Sequence, residues 1–169
     1  MPLLGRMARD LDQHGQLRPS TATSLWIAYL THAGLTVRAL RSPDHRLPLP
    51  TWPARVAGAA SVGVGVAACV SAMRQFSGPS QATGTRIQPL ITSGIYRHSR
   101  HPQYLGYLTA LAGAAVMRRS ATALAWSATL AVAYATWVPV EERHLTRLFG
   151  RPYLDYADRT HRWWGRGTA

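Results

Sequence analysis

The sequence predicts an all-α polytopic membrane protein, with about four transmembrane helices, a C-terminal helical hairpin and polar segments at one membrane face. Three observations carry this prediction. Four apolar stretches, Thr21 to Val37, Val56 to Met73, Gln103 to Met117 and Ser120 to Val140, contain no arginine, lysine, aspartate or glutamate. All 19 basic residues are arginines, and they fall in the segments between and around those stretches, where a bilayer protein keeps its loop charges. Only Arg118 and Arg119 part the third stretch from the fourth, and so short a turn forces two antiparallel helices.

Composition alone leaves the class open, since 47% apolar residues suit a soluble domain as well as a membrane one. A net charge of +12 raises the question of nucleic acid. The arginines form no single stripe, however, so nucleic acid is not expected as a partner. Cys69 is the single cysteine, which rules out an intrachain disulfide and a thiolate zinc site, and no spaced set of ligands suggests another metal.

Residues 1–20 form a polar segment with Arg6, Arg9, Asp10, Asp12 and Arg18 and no apolar centre, so no signal peptide is expected there. The first apolar stretch, 17 residues long, reaches ~25 Å as a helix, short of a ~30 Å hydrocarbon core. Its one titratable group, His32, reads as a packed or helix-bonded residue. The second stretch is the clearest span, and Gly58, Gly63 and Gly65 give it a small-residue face for close helix contact. Together these make residues 21–76 a pair of N-terminal membrane helices.

The connector from Ser77 to Pro102 is broken by Gly78, Pro79, Gly84, Pro89 and Gly94, which argues against continuous helix. A loop of that length is usually functional. The hairpin follows, and Pro139 is expected to kink or end its second arm just before Glu141. The hairpin returns the chain to its starting face, so that His98, Arg100 and His101 at one foot can meet Glu141 and Glu142 at the other. With four spans, 13 arginines lie on the side of the termini and connector and six on the opposite side, which assigns the termini to the cytoplasm. Residues 165–169 read as a flexible tail, and the preceding Arg159 to Trp164 as an interfacial anchor.

Two boxes carry the chemistry. The first runs from Gly94 to Gly106 and brings Tyr96, Arg97, His98, Arg100, His101 and Tyr104 to a helix start, which suits an anionic ligand group or interfacial anchoring. The second runs from Glu141 to Tyr156 and places adjacent carboxylates at the end of an apolar helix. There they repel each other and oppose the helix dipole, so a cation from Arg100, Arg143 or Arg147 should compensate them, or the segment is a solvated helix with internal ion pairs.

The patterns G-x-Y-x-x-x-R-H-P-x-Y-x-G and E-E-x-x-L-x-x-x-F-G-x-x-Y-x-x-Y, in this order with an apolar hairpin between them, resemble those of the isoprenylcysteine carboxyl methyltransferases and related bacterial phospholipid methyltransferases. The resemblance covers roughly residues 78–164. It implies a methyltransferase region at 77–164 that binds S-adenosylmethionine without a Rossmann domain. Cofactor contacts carried over from the family fall on Gln88, Pro89, Leu90, Ile91, Tyr96, His101, Pro102, Gln103, Tyr104 and Glu141, with Gln81 as a further match. Arg100 and Glu142 are implied beside the transferred methyl group or the acceptor.

The acceptor is expected to be lipid-like or prenylated and to enter from the bilayer, with membrane lipids as the other partners. Eukaryotic prenylcysteine enzymes carry an arginine one turn before the acidic pair, similar to a clamp for the substrate carboxylate, and Trp137 stands there in this chain. Trp137 favours an apolar or aromatic acceptor, with Arg100, Arg159 or Arg162 supplying charge. His98, His101 and His144 are candidate bases, although a carboxylate acceptor needs none. Two other readings stay open on sequence: an NADPH-dependent membrane reductase of the sterol-reductase kind, and a non-catalytic membrane scaffold.

Overall fold

The computed structural model describes residues 2–41, 45–76, 78 and 89–165, and among them the chain forms helices and no strand. The helices are α1 (Pro2–His14), α2 (Pro19–Arg41), α3 (Thr51–Met73), α4 (Pro102–Arg118), α5 (Ala121–Phe149) and α6 (Arg151–Arg159), with a short 3-10 turn at Gly94–Arg97. Two of them, α3 and α5, are long and apolar enough to cross a membrane. With 17 residues, α4 is about 25 Å long, while α2 has the length but carries more polar residues. The chain divides into two compact units, one made of Met1–Ala28, Ser71–Pro102 and Ala135–Ala169 and the other of Tyr29–Val70 and Gln103–Tyr134.

The second unit is a set of helices packed through small residues. At Gly58 an added Cβ would lie 2.6 Å from the Gly113 carbonyl, and at Gly65 it would lie 2.5 Å from both the Gly106 carbonyl and the Ala110 amide. The glycine face of α3 therefore meets a glycine face of α4, backbone against backbone. Gly63 lies outside this contact, with nothing within 4 Å of its Cβ position.

The turn between α4 and α5 places Arg119 at φ 56°, an uncommon left-handed conformation for a residue with a side chain. It is held from several directions. The buried Ser120 hydroxyl accepts from the Ala123 amide at 3.1 Å, capping α5, and donates to the Ala39 carbonyl at 3.0 Å. The Leu47 amide donates to the Arg119 carbonyl at 2.7 Å, and Arg119 donates to the Thr51 hydroxyl at 2.7 Å. His32 lies against the edge of Trp126 with its Nε2 at 2.9 Å from the Trp126 carbonyl, the helix-bonded role expected of it.

In the first unit the polar N-terminal segment is a helix, which the sequence reading did not anticipate. Leu3, Leu4, Met7 and Leu11 recur at helical spacing along α1 and pack with Leu17, Ala22, Leu25 and Trp137. Asp10 is 7% exposed and accepts from the Arg18 amide at 3.1 Å at the start of α2. The Thr21 hydroxyl, with the amide and charge of Arg18, outweighs burial and holds the Asp10 carboxyl below its usual range. Asp10→Ala is expected to lower stability by about 1 kcal/mol, the usual cost of a lost cap, read as the thermal midpoint of the detergent-solubilised protein.

Pro139 neither ends nor interrupts α5, which continues for ten more residues to Phe149. Proline removes one helical hydrogen bond, and packing around Val138, which is fully buried, retains the helix across that gap. Gly150, at φ 59°, then turns the chain into α6. There Tyr153 and Tyr156, one turn apart, bury against Tyr96 and Ala72, with Leu90, Ile91, Leu145 and Phe149 around them.

Candidate active site

The segment ahead of α4 is held by its own backbone. Tyr156 donates from its hydroxyl to the Tyr96 carbonyl at 2.8 Å, and the fully buried Ser99 hydroxyl accepts from the His101 amide at 3.1 Å. The chain after α6 then runs beside it. The Arg100 amide donates to the His161 carbonyl at 3.1 Å, and the Gly165 amide to the His98 carbonyl at 2.8 Å. These bonds fix the directions of the Arg100 and His101 side chains, both of which point to the end of α5.

Glu142 receives them there. Arg100 Nε donates to its Oε1 at 2.9 Å, and His101 Nε2 lies 3.3 Å from the same oxygen. Arg162 Nε and Nη2 reach the other oxygen, Oε2, at 3.0 and 2.6 Å. Arg100 spends its Nη1 on the Ala157 and Thr160 carbonyls, both at 2.9 Å, which ties the acidic pair to the end of α6. Glu141 faces the other ring nitrogen of His101 at 3.9 Å, so the imidazole lies between two carboxylates.

Glu142 stands past the apolar part of α5, which ends at Val140. Burial alone would raise its pKa, but the hydrogen bonds from His101 and Arg162 and the charge of Arg100 win and lower it to about 2. It is therefore an ionised acceptor at neutral pH and not a proton donor. The same contact pushes the Arg162 guanidinium up. Burial also pushes the Tyr153 and Tyr156 phenols up, so both remain protonated donors. His144, a candidate base, is pushed down by burial and by the Arg147 charge.

The structure thus joins Arg100, His101, Glu141 and Glu142 in one cluster, as the returning hairpin requires, whereas His98, expected with them, stacks on Trp164 with ring centres 5.9 Å apart. Tyr96, Leu90 and Ile91 share one apolar cluster, Pro89 is exposed, and Pro102 is buried at the first position of α4. Gln103 and Tyr104 belong to the other unit, where Tyr104 stacks on Tyr134 with ring centres 4.4 Å apart. Trp137 packs with α1. Arg159 is exposed and donates to the Asp155 carbonyl at 3.0 Å. Gln88 and Gln81 lie outside the described residues, as does the tail beyond Gly165.

The cations that compensate the acidic pair are only partly those expected. Arg100 does so, but Arg147 pairs with Asp12 of α1 at 2.7 Å instead. Arg162 takes the remaining role, and Trp163 lies beside His101 with ring centres 6.2 Å apart. A signal for Arg162 was present in the spacing: nine residues of α6 bring the chain back along the end of α5, opposite the acids. Among the described residues no three His, Cys, Asp or Glu side chains group as a metal site.

A family described as phospholipid methyltransferase matches residues 53–152. The chain is 31% identical over 157 residues to a probable protein-S-isoprenylcysteine O-methyltransferase of Oryza sativa subsp. indica, covering 88% of this chain and 82% of the relative. It is 33% identical over 93 residues to protein-S-isoprenylcysteine O-methyltransferase B of Arabidopsis thaliana, covering 54% of this chain and 47% of the relative. The chain thus spans about half the length of the Arabidopsis relatives it matches. No solved structure matches. A family match over more than half of the chain, and a rice relative aligned over most of both sequences, establish that the protein belongs to the membrane methyltransferase family of the phospholipid and isoprenylcysteine methyltransferases.

Proposed function

We propose that the protein transfers a methyl group from S-adenosylmethionine to a lipid-like or prenylated acceptor at the membrane, with four helices crossing the bilayer and both termini on the cytoplasmic side. The observation that carries this reading is the Arg100–His101–Glu142 cluster, built from the two boxes that the family shares and joined by Arg162 from beyond them. The membrane placement draws support from apolar side chains left uncovered, including Ile27, Leu30, Trp52 and Val64, which are 60%, 68%, 74% and 66% exposed. Patches of that kind are stable in lipid and costly in water. The relatives named above all carry methyltransferase names, which favours methyl transfer over nicotinamide reduction.

The residues present suit the methyl donor. Half-buried Leu90 and Ile91 beside Tyr96 offer an apolar wall for an adenine, and Glu141, partly exposed, offers a carboxylate for an ammonium. His101, Pro102, Gln103 and Tyr104, with Pro89 and Gln88, complete the proposed set. When bound, S-adenosylmethionine supplies an electrophilic methyl group on a sulfonium centre. Arg100 and Glu142 fix each other beside it, and the pair contributes alignment and exclusion of water. A carboxylate acceptor needs no base, which fits a Glu142 that stays ionised. Trp137, with Arg159, is proposed to face the acceptor.

Membranes containing the protein, incubated with methyl-labelled S-adenosylmethionine, should carry label into the organic phase. The amount should exceed that from membranes with Glu142→Gln by about tenfold or more, a loss of ~1.4 kcal/mol of transition-state stabilisation. Equal label from the two would contradict the assignment.

A further inference from the structure

Tyr104 stands in the first turn of α4, two residues after Pro102. Its ring lies on that of Tyr134 from α5, with centres 4.4 Å apart and planes 24° from parallel, a close stacked pair that takes one face of Tyr104. Tyr134 is itself only 4% exposed, and the Tyr29 hydroxyl of α2 donates to its hydroxyl at 3.2 Å. The three tyrosines thus come from three helices of one unit. Tyr134 belongs to neither of the two boxes, and Tyr29 lies before residue 53, where the match to the family begins.

A tyrosine side chain turns about two torsions, and a ligand that needs one orientation of the ring loses affinity by having to order it. A ring that is already held spares the ligand that loss. Stacking on Tyr134 holds Tyr104, provided that Tyr134 is itself fixed. Packing confines the Tyr134 ring, and the bond from Tyr29 satisfies its buried hydroxyl and sets where the end of the ring lies. We propose that Tyr134, with Tyr29 behind it, is a positioning residue for the methyl donor that acts through the Tyr104 ring. The proposal rests on the reading of Tyr104 as a methyl-donor contact, and it gives α2, outside the matched stretch, a part in holding the donor.

The test is calorimetric titration of the detergent-purified full chain with S-adenosylhomocysteine, run as double-mutant cycles with Tyr104→Ala. Tyr134→Leu removes the stack and should weaken binding about tenfold, whereas Tyr134→Phe keeps the ring and should weaken it no more than about threefold. Tyr29→Phe removes a single oxygen and should also weaken it about threefold, which decides the matter even if Tyr134→Leu does not fold. In a chain that already carries Tyr104→Ala, each of these substitutions should change the affinity by less than about twofold, because the ring that they position is gone. A role in helix packing alone would lower the thermal midpoint and either leave the affinity unchanged or weaken it equally with and without Tyr104. Either result overturns the proposal. A parent that binds as tightly as Tyr104→Ala also overturns it, while leaving the methyl-donor site to its other contacts. A well-folded parent that binds no S-adenosylhomocysteine sinks the methyltransferase reading and the proposal with it.

Discussion

Glu142→Gln is expected to lower methyl transfer about tenfold or more and to cost the protein about 3 kcal/mol of stability, the low end for removing one partner of a buried ion pair. The loss arises because Arg100 is left without its carboxylate in a site where its side chain is 14% exposed. Arg162, at 42% exposed, can turn to water and recovers part of the loss, which is why the upper range is not reached. Thermal unfolding in detergent at neutral pH measures the effect.

The pH dependence of the same variant carries a sign. Glu142 titrates at about 2 in the fold, against an ordinary value of 4.5, so its contribution is present above pH 4.5 and fades as pH falls toward 2. The difference in midpoint between the parent and Glu142→Gln should therefore shrink across that window. A constant difference would mean that the ion pair is not what stabilises the cluster.

The second large effect separates two neighbouring glycines of α3. Gly65→Ala puts a methyl 2.5 Å from the Gly106 carbonyl and the Ala110 amide. Both are backbone atoms and cannot turn aside, so α3 and α4 have to part, at a cost of about 2–3 kcal/mol. Gly63→Ala meets open space and should stabilise α3 by about 0.5–1 kcal/mol through helix propensity. Opposite signs two residues apart are the expected result of paired melts, and equal effects would remove the glycine contact from the account.

The features legible in the sequence were those set by local chemistry. Arg118 and Arg119 between two apolar runs fix a hairpin, and a hairpin brings its feet together, so the meeting of Arg100 and His101 with Glu142 followed from chain geometry. The small-residue face of α3 was visible as Gly58, Gly63 and Gly65, but which of them touch α4 depends on helix rotation, and Gly63 does not. Other features depend on tertiary packing. In α1 the stripe of Leu3, Leu4, Met7 and Leu11 is diluted by Arg6, Arg9, Asp10 and Asp12, and its partners, Leu17, the start of α2 and Trp137, come together through the fold. Of the two expectations for Pro139, a kink or an end, the helix end is not found, because packing prevails there over the local rule. Arg147 was expected among the partners for the acids and Arg162 was not, because the Asp12 that takes Arg147 lies on a helix the sequence reading did not anticipate.

The most direct test of the central claim, a methyl-donor site in the C-terminal half of the chain, is calorimetric titration of the detergent-purified protein with S-adenosylhomocysteine, alongside Glu141→Gln and Tyr104→Ala. The parent is expected to bind, and each substitution to weaken binding about tenfold or more, ~1.4 kcal/mol each. A parent that melts cooperatively yet binds no S-adenosylhomocysteine would contradict it.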